Sequence, residues 1–200
     1  IPLGDGIRWT KHPANPVLDV GPEGAWDDTL VSQPRVFLAA SGYRMIFVGQ
    51  DGAREGGAVS PNFGYGLGLA VSSDGAVWER YDLNPILAHA PGQFGMLWHS
   101  GAAQNGGYVM YVTLGDTLDG RAGLRIYRAT SPDGLTWAAD ANPALDLGPP
   151  GSYDDYDVFA PFVLAESGRF EMWYNASDGD RVTIAYAASS PEKAESDGRF

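Results

Sequence analysis

The segment Ser72-Ser73-Asp74-Gly75-Ala76-Val77-Trp78 returns as Ser131-Pro132-Asp133-Gly134-Leu135-Thr136-Trp137, both of the form S-x-D-G-x-x-W. Each copy follows an apolar run, Leu67 to Val71 and Leu124 to Thr130, and each leads to an Asn-Pro step, Asn84-Pro85 and Asn142-Pro143. A match of this length with shared flanks marks a repeat protein. Asp-Gly is a tight-turn pair, because Asp bonds its own backbone and Gly takes positive φ without steric cost. The Ser hydroxyl can cap the same turn, and the Trp restarts a strand with a large ring to bury. The cassette therefore builds the fold and is a poor place for chemistry.

Composition narrows the class. With 27 Gly, 14 Pro, 6 Trp and 10 Tyr and no long helical pattern, the chain reads as all-β with many turns. There is no Cys, hence no disulfide framework and no thiolate metal site. His12, His89 and His99 are scattered and not spaced as a zinc site. No metal or cofactor is expected, since no G-x-G-x-x-G opens a helix and neither a Walker sequence nor H-E-x-x-H occurs. A formal net charge of -12 argues against nucleic acid and anionic membrane as partners, and no apolar run is long enough to span a bilayer. Ile1 stands where Met would, which gives the expectation of a processed or trimmed start and a secreted or periplasmic bacterial setting.

Along the chain the same parts recur in the same order. Trp9 precedes Asn15-Pro16 as Trp78 precedes Asn84-Pro85 and Trp137 precedes Asn142-Pro143. Units one and three then share a Gly-rich loop with an aromatic and two acids, Gly24 to Asp28 and Gly151 to Asp155; unit two has Gly92-Gln93-Phe94-Gly95 there. A first strand comes next, from Pro34 to Ala39 and from Pro161 to Ala165, with His99 in the Pro position of unit two. The second strands align as Tyr43 to Phe47, Tyr108 to Val112 and Phe170 to Tyr174, and they run out to Asp51, Asp116 and Asp178. A third strand and the strand that carries the Trp complete each unit. The expectation is a single β-propeller-type domain over residues 1–200. It holds three four-stranded antiparallel blades at about 9–78, 79–137 and 138–190 and a polar tail at 191–200. Unit one also carries a long insertion, Gly52 to Phe63.

The order Trp, Asn-Pro-hydrophobic, Gly-x-Trp-Asp, Pro-x-Val, Tyr-x-Met-aromatic, S-x-D-G-x-x-W resembles the five-bladed propeller superfamily of arabinanases, β-xylosidases, levansucrases and invertases. That superfamily includes the family 43 and family 32 glycoside hydrolases. The resemblance runs from Trp9 to about Ser190 and rests on residues of the blades. It implies three carboxylates around a central tunnel, one as base or nucleophile, one as acid, one tuning pKa and holding the sugar. It also implies an Asp-Pro at the start of an inner strand. Here that position reads Gln33-Pro34, Trp98-His99 and Ala160-Pro161, without the acid.

Residues shared by all units serve the blade; polar residues unique to one unit are the better functional candidates. Asp157, four residues before Pro161, is unique to unit three; Asp28 and Asp155 come from different blades and can face each other across a tunnel. These three are the catalytic candidates, with solvated or turn-capping acids as the structural alternative. Hydrolysis of a glycosidic bond needs two carboxyl groups about 5 to 9.5 Å apart. Gln33 and Arg35 straddle Pro34, and Arg35 is suited to clamp a carboxylate or to pair with an Asp. His99 can donate to a hydroxyl or shuttle a proton, and Trp98 can stack on a pyranose; both also read as core residues.

The expected function is a carbohydrate-active protein, a glycoside hydrolase or a remnant of one, with a carbohydrate as its partner. The alternative is a sugar-binding or assembly module that has kept the blades and lost the acids. The sequence further predicts that Trp78 and Trp137 are largely buried and that Asp28, Asp155, Trp98 and His99 line one concave surface. Three blades do not close a ring, so both flanks of the arc are expected to be bare; the chain is then either a fragment of a longer protein or, the favoured expectation, pairs with a second copy, two chains supplying six blades. Light scattering after size exclusion checks this: a dimer is expected, and a monomer near 21.3 kDa without a bare flank contradicts it.

Overall fold

The computed structural model describes residues 7, 9–39, 41–52, 54–55, 58–59, 64–88, 93–104, 107–166 and 169–189. It is all-β. Blade one holds β1 (Leu30–Ala39), β2 (Gly42–Gln50), a small separate hairpin of β3 (Arg54–Glu55) and β4 (Ala58–Val59), β5 (Tyr65–Ser72), β6 (Glu79–Arg80) and β7 (Leu87–Ala88). Blade two holds β8 (Phe94–Gln104), β9 (Gly107–Leu118), β10 (Arg121–Ser131) and β11 (Ala138–Ala139). Blade three holds β12 (Asp157–Glu166), β13 (Arg169–Ser177) and β14 (Val182–Ala188). The sheets run β1-β2-β5-β6, with β7 also on β5, then β8-β9-β10-β11 and β12-β13-β14, antiparallel throughout, in an open series that does not close.

The two cassettes fold alike. Ser72 Oγ accepts from the Gly75 amide at 2.8 Å, and Asp74 Oδ1 accepts from Ala76 at 2.8 Å and Val77 at 2.9 Å. Ser131 and Asp133 repeat this, with Gly134 at 2.7 Å, Leu135 at 2.8 Å and Thr136 at 2.9 Å. Gly75 and Gly134 hold φ of 81° and 73°, a region closed to most L-residues. Bonds from the Val77 and Thr136 amides lead the causes that hold the two carboxyls below the usual range.

The fourth strands of blades one and two are shorter than the sequence suggests, two residues each, and blade three holds three strands among the described residues where the sequence suggests four. In blade one, beside the Tyr81 amide that donates to the Leu69 carbonyl at 2.9 Å, the edge beyond β6 is taken up in part by Asn84. Its side-chain oxygen accepts from the Leu69 amide at 2.8 Å and its amide nitrogen donates to the Leu69 carbonyl at 2.9 Å. A side chain thus supplies the ladder bonds that further strand residues would make.

Burial explains the series. Ile46, Val48, Leu67 and Leu69 of blade one pack with Met110, Val112 and Leu114 of blade two. On the other face of blade two, Val109, Tyr111 and Ile126 pack with Val158, Val163 and Met172 of blade three. The free face of blade one, with Met45, Phe47 and Ala70, is covered by Leu18, Trp26, Val31 and Trp78 of the same chain. This corrects the expectation of two bare flanks. Blade three does keep a bare face, where Phe162, Trp173 and Tyr186 stack and Ile184 is 80% exposed.

Trp78 and Trp137 do occupy equivalent places, each on the Met-bearing face of its own blade. Both are half-buried, not largely buried, because the indole of Trp78 reaches back over the turn to the Gly75 carbonyl at 3.0 Å. The side chains of Arg54 and Glu55 lie outside the described residues.

Close approach sets one prediction. A Cβ at Gly68 would stand 2.4 Å from the ring of Phe47, itself 1% exposed and held between β5 and Trp26. Gly68→Ala should therefore destabilise the fold by about 1–3 kcal/mol in urea unfolding; a loss below about 0.5 kcal/mol would contradict this account of the blade-one core.

Candidate functional site

The first strands of the blades share an irregularity. Register shifts fall between Ser32 and Arg35 in β1, between Leu97 and His99 in β8, and between Phe159 and Phe162 in β12. Gln33 and Ala160, each followed by Pro, hold φ of 53° and 52°. Left-handed backbone costs an L-residue about 1–3 kcal/mol, and a bulge re-aims the side chains beside it. Since the bulge recurs, it belongs to the blade; what each blade places beside it differs.

Beyond the bulges the three strands line a cleft of about 460 Å³. Arg35 to Leu38 come from β1, His99 to Gly101 from β8 and Pro161 to Leu164 from β12. Tyr108, Met110 and Trp137 add to an apolar lining. Blade-to-blade bonds hold the walls: the Val163 amide donates to Ser100 Oγ and the Ala160 amide to Thr113 Oγ1, both at 3.0 Å.

His99 is 2% exposed, and neither ring nitrogen makes a well-formed hydrogen bond among the described residues; the Ile46 backbone meets the ring only in poor geometry. The indole nitrogen of Trp137 is buried and equally without one. His99 and Trp137 both line the cleft, and their three unsatisfied nitrogens, closed to water behind its wall, call for explanation, since such groups are normally paired. Burial first, and then the charge of Arg35, push the His99 pKa down to about 4, with the Ile46 carbonyl acting weakly the other way. The ring is thus neutral at pH 7, with one nitrogen a donor and the other an acceptor. Arg35 is exposed, and its Nη1 donates to the carbonyl of Pro34 at 3.3 Å.

The structure brings Arg35 and His99 together on this cleft; the side chain of Trp98 lies outside the described residues. Gln33 sits at the bulge before Arg35 and is not among the lining residues. Nor are the acids. Asp28 accepts from the amides of Gly24 at 2.8 Å and Gly52 at 2.6 Å, and from the Thr29 hydroxyl at 3.0 Å. Asp155 accepts from the Gly151 amide at 2.5 Å, the equivalent bond in blade three. Both lock the loop that leads into a first strand. Asp157, at the start of β12, accepts from the Leu124 amide at 2.7 Å; burial raises its pKa, against that bond and the charge of Arg125. Among the described residues no group of three or more His, Asp or Glu is placed to hold a metal ion.

Sequence reasoning misses two features. It gives Trp137 only the role of a packing ring. It places Asp116 only at the end of a second strand, yet Asp116 accepts from Arg125, itself 1% exposed, and from the hydroxyl of Tyr127. Arg125 also reaches Asp146 at 2.6 Å. The available signal is an Arg at an inward position of β10 with no counterpart in the other units.

No family model matches this sequence. An uncharacterized protein of Mycobacterium tuberculosis, Rv1502, is 28% identical over 198 residues, covering 96% of this chain and 62% of its own length. The A type blood N-acetyl-alpha-D-galactosamine deacetylase of Flavonifractor plautii is 29% identical over 133 residues, 61% of this chain and 17% of the enzyme. Among solved structures, a glycoside hydrolase aligns over 92% of this chain and 53% of its own, with TM-score 0.68 and 20% identity. The family 117 glycoside hydrolase Zg3597 of Zobellia galactanivorans covers 86% and 56%, with TM-score 0.64 and 19% identity. The chain therefore spans between half and two thirds of the length of Rv1502 and of these two hydrolases. These two structural neighbours are glycoside hydrolases, and the likeness to them is one of fold.

The buried His99 makes stability depend on pH. Its folded pKa of about 4 lies below the ordinary value of 6.5, so the unfolded chain binds the extra proton between them. The contribution is fully present above pH 6.5 and is lost as pH falls toward about 4, by up to about 3 kcal/mol. Denaturation across this window should show a steeper loss in the wild type than in His99→Gln; identical pH profiles would contradict the buried neutral ring.

Proposed function

From a chain that carries the blade fold of the propeller glycoside hydrolases, we propose a carbohydrate-active protein that seats a saccharide in the cleft between its first strands. One observation carries this reading: an apolar cleft in which His99 and Trp137 keep buried nitrogens unpaired. A sugar ring offers what such a site lacks. Its C–H face suits apolar and aromatic walls, and its hydroxyls both donate and accept. Those nitrogens are closed to water, so the ligand must turn the two side chains outward; filling their bonds then removes the penalty of the unpaired groups, about 1–3 kcal/mol for each.

The reaction proposed is hydrolysis of a glycosidic bond in a saccharide long enough to run past the β12 bulge to Asp157, which lies outside the cleft lining and is the proposed acid. A carboxyl with a raised pKa keeps its proton nearer neutral pH and so can give it to a leaving oxygen. Asp28 and Asp155, bonded to amides, are the further carboxyl groups, and they precede the first strands of blades one and three. A second reading, binding without turnover, is favoured by those same amide bonds and by the missing Asp-Pro.

A saccharide panel and a set of aryl-glycosides test both readings with wild type and Asp157→Asn. Binding by both proteins, with turnover in the wild type and a loss of about 100-fold or more in the variant, is expected for a general acid. Binding without turnover in the wild type selects the second reading. Absence of binding to every saccharide overturns both.

A further inference from the structure

We infer that the cleft prefers a saccharide that carries a carboxylate, a uronic acid unit, over the neutral sugar with the same ring, and that Arg35 holds the charge. The inference rests on the saccharide reading above and names its ligand class.

Arg35 is the charged group on the cleft wall. Arg80, Arg125, Arg128, Arg169 and Arg181 each hold a carboxylate of the chain, while Arg44 and Arg121, also without an ion pair among the described residues, donate to backbone carbonyls far along the chain and lie off the cleft. Arg35 makes no ion pair among the described residues; its bond to the adjacent carbonyl of Pro34 is long, at 3.3 Å. A guanidinium has five N–H donors, so most of this one remains available. In a chain of net charge -12, an Arg kept apart from every carboxylate among the described residues is a site for an anion that comes from outside.

The rest of the wall says which anion. A phosphate calls for several cations or a nest of backbone amides. Here there is one planar guanidinium, matched to a planar carboxylate through two parallel bonds. Behind it stand apolar side chains, Phe37, Leu38 and Phe162, suited to a ring face, and the nitrogens of His99 and Trp137, suited to ring hydroxyls. His99 is neutral near pH 7 and so supplies hydrogen bonds without adding to the charge. A carboxylate and a hydroxylated ring on one small molecule describe a hexuronate.

Calorimetry or saturation-transfer NMR at pH 7 with galacturonate and galactose, glucuronate and glucose, and acetate as a bare carboxylate tests this. Wild type and Arg35→Gln are compared, with circular dichroism to show that the exposed substitution leaves the fold intact. The wild type should bind one uronate about tenfold or more tightly than its neutral partner, the scale of one charge-assisted pair. That ratio should fall to about one in Arg35→Gln and shrink as salt is raised. Equal affinity for uronate and neutral sugar in the wild type overturns the inference and leaves the saccharide reading standing. Failure of every sugar to bind overturns that reading as well. Acetate binding as tightly as the uronates, or a preference that survives in Arg35→Gln, assigns the charge elsewhere and overturns the inference. So does a variant that loses uronate and neutral sugar alike.

Discussion

Every central strand of this chain is apolar on both of its faces. In β2, Met45 and Phe47 point one way and Ile46 and Val48 the other, and all four are buried. A sheet with two apolar faces cannot stand alone in water, so each blade requires a neighbour on either side. The covering differs from face to face. Blade one is covered on one side by blade two and on the other by its own leading segment through Leu18 and Trp26. Blade two is covered by its neighbours. Blade three buries Met172 and Tyr174 against blade two and leaves Trp173 and Tyr186 on the face that in the earlier blades receives the next one.

Stacking of this kind also makes the cleft. Once the blades are held by their faces, their first strands are set side by side, and the bulges at Gln33 and Ala160 re-aim the residues just beyond them. Arg35 and His99 lie on different blades, yet the shared register brings them to one wall. The loops that lead into the first strands are fixed by Asp28 and Asp155, each bound to the amide of a Gly four residues earlier. The acids thus define where the strands begin, and the side chains past the bulge define what the cleft meets.

What the sequence makes legible is what local bonds decide. The cassette turns, with Ser72 and Asp74 bonding amides two or three residues on, follow from residue type alone. The second strands follow from alternation. The length of the fourth strand does not; in blade one the Asn84 side chain, reaching Leu69 across the sheet, takes bonds that a longer strand would make. Nor does the unpaired state of Trp137, which depends on what another blade fails to offer its indole. For Asp28 and Asp155 the recurrent Gly four residues before each is the sign of a loop lock; their shared position before a first strand suggests a site instead. Arg35 and His99 are legible for a sound reason, as polar residues at positions where the other units place something else.

The central claim is that the unpaired nitrogens of His99 and Trp137 are the contacts a sugar makes. Nitrogen-detected NMR during titration with a saccharide that binds tests it directly. The account predicts that the Trp137 indole and the His99 ring signals shift together and saturate with one affinity. The Trp78 indole, already bonded to the Gly75 carbonyl, should stay in place. A bound saccharide that leaves both the Trp137 and the His99 signals unmoved would contradict it.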